Sequence, residues 1–66
     1  MEFKFTFVGT VEDEPTAQRW DVSYVGGTAR VVYHYRRAAS VSWRTGLNPP
    51  SEETLAAALI DHVWNA

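Results

Sequence analysis

Residues 19–35, RWDVSYVGGTARVVYHY, decide how this chain folds. Trp20, Val22 and Tyr24 alternate with Asp21 and Ser23, the period of a half-buried strand. Ala29, Val31, Tyr33 and Tyr35 alternate in the same way on the far side of Gly26-Gly27. Two alternating runs around a Gly-Gly pair predict a β-hairpin with a two-residue turn, in which glycine supplies a positive φ. A turn centred on Gly26-Gly27 sets Tyr24 opposite Ala29, Val22 opposite Val31 and Trp20 opposite Tyr33. It sets Ser23 opposite Arg30 and Asp21 opposite Val32 on the other face. Apolar residues then meet apolar residues throughout.

Upstream, Phe3, Phe5 and Phe7 alternate with Lys4 and Thr6 and predict a first strand running on through Val8 to Val11. The segment EDEPTAQ, Glu12–Gln18, breaks the pattern with three acids and Pro15, and is expected to be a loop. Downstream, the third strand continues to about Arg37 and a fourth spans about Ser40 to Arg44. Placing Val41 beside Tyr35 and Trp43 beside Tyr33 requires an odd-length loop centred on Arg37-Ala38-Ala39. TGLNPP then ends the sheet.

The last stretch, PSEETLAAALIDHVWNA, carries a helix start. Ser51 is the expected N-cap, and Glu52 and Glu53 lie in the first turn, where the helix dipole favours acids. At 100° per residue, Leu55, Ala56, Leu59, Ile60 and Val63 share an arc with Trp64 at its edge, while Thr54, Asp61 and Asn65 lie opposite. The fold class is therefore α+β: a four-stranded antiparallel β-meander with one C-terminal helix on one face, ββββα.

At 66 residues the chain is one domain, 1–66. A chain of this size buries only about 60% of the surface it exposes when unfolded, so its stability margin is narrow. Cysteine is absent, which excludes disulfides and thiolate metal sites. Three each of Trp, Tyr and Phe supply apolar bulk instead. The amino terminus alternates too regularly for a signal peptide and is too short for a membrane span, so the expectation is a cytoplasmic protein, read as a complete small gene product.

The net charge of −2 hides a partition. Val22–Ser51 contains no acid and carries +4 from Arg30, Arg36, Arg37 and Arg44, whereas the flanking segments carry −3 each. Two readings of function use the two signs. In one, the acids Glu12, Asp13, Glu14 and Asp21 form a surface aimed at a basic groove on a host protein. In the other, Arg30, His34, Arg36, Arg37 and Arg44 form a basic sheet face for DNA or RNA. The second lacks a stacking platform if Tyr33, Tyr35 and Trp43 all turn toward the helix, since sheets that read single strands stack bases on exposed rings. A third reading is a homodimer that buries aromatic surface. Four strands at about 4.8 Å make a sheet roughly 19 Å wide. One helix, about 10–12 Å across, covers little more than half of it.

Catalysis and cofactors are not expected. His34 and His62 are the only imidazoles, no serine lies in a nucleophile-elbow pattern, and two isolated histidines make no zinc set. The three consecutive acids lack the spacing of a calcium loop.

The layout as a whole, with FKFTFVGTVEDEP, then VSYVGGTARVVY, then PPSEETLAAALIDHV, resembles small accessory proteins encoded by phages and mobile elements, of which anti-CRISPR inhibitors are one kind. The resemblance is one of pattern over most of the chain and carries no site residues with it. It implies a compact, non-catalytic, phage-encoded inhibitor that binds a host nucleic-acid-handling complex.

Overall fold

The computed structural model describes residues 2–35 and 38–65. It contains strands β1 (Lys4–Val11), β2 (Glu14–Tyr24), β3 (Gly27–His34) and β4 (Ala38–Arg44), followed by helix α1 (Glu52–Trp64). The strands form one antiparallel sheet in the order β1-β2-β3-β4, the meander expected from sequence. Helix α1 packs on one face, chiefly over β3 and β4.

The central hairpin forms, but two residues out of the expected register. Tyr24 pairs with Gly27, Val22 with Ala29, Trp20 with Val31 and Gln18 with Tyr33. The turn is therefore Val25-Gly26. Only Gly26 there has a positive φ (102°), the pattern of a type II turn with glycine at its second central position. Gly27 is required for a different reason. A Cβ on Gly27 would lie 2.3 Å from the Thr45 carbonyl oxygen, and one on Gly46 would lie 1.9 Å from the Gly26 carbonyl oxygen. Thr45 and Gly46 are clamped onto this turn. Thr45 donates its N–H to the Thr28 carbonyl (3.0 Å), the Thr28 N–H donates to Thr45 Oγ1 (3.1 Å), and the Tyr24 hydroxyl donates to the Thr45 carbonyl.

A slip of two residues leaves every side chain on its expected face. Val22, Tyr24, Ala29, Val31 and Tyr33 are buried with Leu55 and Leu59 of α1 in one core, with Phe3, Phe5, Trp20, Val41, Ile60 and Val63 packed around it. Full burial of a leucine side chain is worth about 1.5–3 kcal/mol, so Leu55 and Leu59 anchor the helix. Ser51 caps it, its Oγ accepting from the Thr54 N–H at 3.2 Å.

Two expectations fail at the hairpin ends. Glu12–Gln18 is not a loop: Glu12 and Asp13 alone form the turn, and β2 begins at Glu14 and runs through Pro15. The irregular pairing between Thr10–Gln18 and Val11–Glu14 accommodates the proline, which cannot donate to a ladder. Likewise β4 begins at Ala38, pairing with His34, and Tyr35 lies in the turn rather than opposite Val41. Val41 pairs with Val31, and Tyr33 pairs with Ala39.

The β4 register contains one further difference, with consequences for the surface. Ser42 is an extra residue, so that Val41 pairs with Val31 but Trp43 pairs with Arg30 and Arg44 with Ala29. A bulge of this kind sets two residues against one and reverses the alternation beyond it. Trp43, expected beside Tyr33, lies instead on the face away from the helix. Arg44, expected on that face, lies on the helix side, where its guanidinium donates to the Pro50 carbonyl at 3.0 Å. A second bulge, at Val8 of β1, lies between the Phe7–Trp20 and Gly9–Arg19 pairs.

Candidate functional site

Because α1 is centred over β3 and β4, its reach toward β1 and β2 depends on His62. That imidazole stacks on Phe5 with centroids 4.1 Å apart at 14°, and meets Trp20 edge-on at 5.5 Å. It is a packing residue at the boundary of the core. Beyond it cover runs out: Phe7 is 51% exposed and Val8 43%, with Phe7 resting edge-on against Trp20. The β1–β2 hairpin carries on from this apolar strip to the turn at Glu12 and Asp13, both exposed, with Glu14 beside them.

The acidic residues singled out from sequence divide between two places. Glu12, Asp13 and Glu14 share the hairpin tip. Asp21 is seven residues further along β2, roughly 20 Å away at strand rise, and on the open face. There it faces Arg30, not Val32, and accepts two bonds from it: Nε to Oδ1 at 2.8 Å and Nη2 to Oδ2 at 3.1 Å. The hydrogen bond to Asp21, reinforced by the charge, raises the Arg30 pKa above its ordinary value.

The basic set divides as well. Arg30 and His34 are on the open face, Arg44 is on the helix side, and Arg36 and Arg37 lie outside the described residues. Arg30 lies 5.5 Å from the centroid of the Trp43 ring, so Thr6, Asp21, Arg30 and Trp43 form one row across all four strands. His34 pairs with Ala17 and places Nδ1 3.5 Å from a Glu14 carboxylate oxygen. Lys4 and Arg19 share this face. The aromatic member of the row was not foreseen, and strand alternation alone could not have revealed it; the bulge at Ser42 puts it there.

A third feature lies at the opposite end of the sheet. Val25, 89% exposed on the clamped turn, borders an open groove of about 500 Å³ together with Glu2, Phe3, Lys4, Ser23 and Tyr24, and Leu47, which follows Gly46, is 83% exposed. Among the described residues there is no group of three or more His, Asp or Glu placed to hold a metal ion. Among the described residues no helix is long and apolar enough to cross a membrane. No family model, curated protein or solved structure matches the chain.

Proposed function

We propose that this domain is a non-catalytic protein-binding inhibitor that docks through its β1–β2 hairpin and occludes a basic surface of a nucleic-acid-handling complex. The observation that carries the reading is the juxtaposition on one hairpin of an uncovered apolar strip, Phe7 and Val8, with an acidic tip, Glu12-Asp13-Glu14. Apolar side chains supply contact energy once water is excluded. Acids around them supply orientation and competition with phosphate for a partner's lysines and arginines. Resemblance to small phage-encoded inhibitors of the anti-CRISPR kind supports the same class of target. In this reading Asp21 does not contact the partner, because Arg30 already occupies its carboxylate.

The test compares the wild-type chain with Phe7→Ser and with Glu12→Lys/Asp13→Lys/Glu14→Lys as baits in nuclease-treated host lysate. Captured proteins are identified by mass spectrometry, and the nucleic-acid-processing activity of the captured complex is then assayed with each bait. Both variants should lose capture and inhibition. Full retention by both would remove this reading.

A further inference from the structure

The open face of the sheet has a composition and geometry that the hairpin reading does not use. Its central row holds an indole, Trp43, that is 43% exposed and has the Arg30 guanidinium over one face of its ring, 5.5 Å from the centroid. Asp21 fixes that guanidinium by two bonds, so the arginine cannot swing away and the ring has a held neighbour. The rows on either side hold Lys4, Ser23 and Thr28, and Arg19, Val32 and Ser40.

Charge is distributed between the faces. Among the described residues, Lys4, Arg19 and Arg30 are on this face and only Arg44 is elsewhere. Of the acids, Glu12 and Asp13 are in the tip, Glu52, Glu53 and Asp61 are on the helix at the other side of the sheet, and Glu2 borders the groove next to Lys4 and Ser23. Asp21 on the open face is paired with Arg30, and a Glu14 carboxylate oxygen reaches that face 3.5 Å from His34 Nδ1. Lys4 and Arg19, which among the described residues have no carboxylate partner, are the cations of this face open to a phosphate.

We infer that this face binds single-stranded nucleic acid, with a base stacked on Trp43 and neighbouring phosphates held by Lys4 and Arg19. An exposed ring stacks on any base, and cations flanking it track the backbone. A duplex presents no free base face, so this surface discriminates for single strands. The site is on the sheet face opposite α1, and it goes beyond protein docking by the hairpin.

The test is fluorescence anisotropy of a labelled oligothymidine titrated with the full chain at low salt, repeated at rising salt. A complex is expected whose log affinity falls with log salt at a slope of about −1.4, from two phosphate contacts at about 0.7 each on a single strand. Trp43→Ala should weaken binding roughly 5- to 150-fold, the range for loss of one stacked base, with Trp43→Phe closer to wild type. Lys4→Gln/Arg19→Gln should flatten the salt slope; it leaves the core untouched and carries the test if Trp43→Ala fails to fold by circular dichroism. Unlabelled duplex of equal length should compete poorly. Absence of a complex at low salt overturns the inference, as does wild-type binding by Trp43→Ala, or duplex competing as well as single strand. The assay contains no protein partner, so its outcome is separate from that of the capture experiment.

Discussion

Asp21 and Arg30 face one another across β2 and β3 and are joined by two hydrogen bonds of 2.8 and 3.1 Å in the fork geometry that a carboxylate and a guanidinium share. The pair is on the open face, and Trp43 completes the row at 5.5 Å from the guanidinium. The pH dependence of the pair on the alkaline side follows from Arg30. The folded-state pKa is raised above the unfolded one, so the contribution of Arg30 is fully present below the unfolded value and is lost only as pH rises through the folded value. That window is strongly alkaline. Thermal melts of wild type and Arg30→Gln should therefore differ by a constant amount through the neutral range and converge at the alkaline extreme. Convergence near neutral pH would contradict the assignment.

Removing the acid from this pair has a second expected effect. Asp21→Asn keeps the side chain's shape but can accept only one of the two bonds from Arg30, and it unmasks one positive charge at Trp43. The variant should keep its far-ultraviolet circular dichroism and bind oligothymidine more tightly than wild type at low salt, with the gain shrinking as salt rises. Anisotropy titrations at two salt concentrations would measure both.

The clamp between the central turn and Thr45-Gly46 predicts glycine sensitivity of two kinds. In Gly27→Ala a Cβ meets the Thr45 carbonyl oxygen at 2.3 Å, so the loss is steric alone. In Gly46→Ala a Cβ at 1.9 Å from the Gly26 carbonyl is added to a φ of 89°, which side chains rarely adopt. Both should destabilise, Gly46→Ala more, by at least about 1–3 kcal/mol as the cost of a strained backbone position. Urea denaturation followed by tryptophan fluorescence would rank them; a Gly46→Ala variant as stable as wild type would refute the clamp.

The helix rests on few anchors, and each can be removed alone. Leu59→Ala should cost about 2–5 kcal/mol, a large share of the stability of so small a domain. Ser51→Ala removes the cap on the Thr54 N–H and should cost about 1 kcal/mol. Leu47→Ser, at a side chain 83% exposed, should change stability by less than about 0.5 kcal/mol. Differential scanning calorimetry of the three variants checks the order.

Both sheet edges carry a bulge, at Val8 in β1 and Ser42 in β4, and both flank the Phe7–Trp20–Val31–Val41 row. Bulges interrupt the ladder that another strand would need to pair with. Light scattering at micromolar concentration should accordingly give the mass of a monomer, 7.5 kDa. A stable dimer would mean that the apolar strip at Phe7 and Val8 is covered by a second copy, and would displace the heterologous docking surface proposed for it.

Much of this architecture is legible in the amino-acid order. The alternation of Phe3 to Phe7, Trp20 to Tyr24 and Ala29 to Tyr33 dictates strands and assigns their faces. Ser51 and the arc through Leu55 and Leu59 dictate the helix and its buried side. These are local properties, set by backbone period and capping chemistry. Register is not local. Pairing Tyr24 with Gly27 or with Ala29 puts the same side chains on the same faces, so hydrophobic pattern cannot choose between them. The choice falls to Gly27 and Gly46, which let Thr45 approach closer than any side chain allows. The bulge at Ser42 is likewise a property of two strands together: no feature of SVSWR announces an extra residue until β3 lies beside it. That single residue moves Trp43 onto the open face and Arg44 off it. Periodicity determined which elements exist and which face is buried; only the packing of β4 and the Thr45 loop against β3 decided which side chains are presented to a partner.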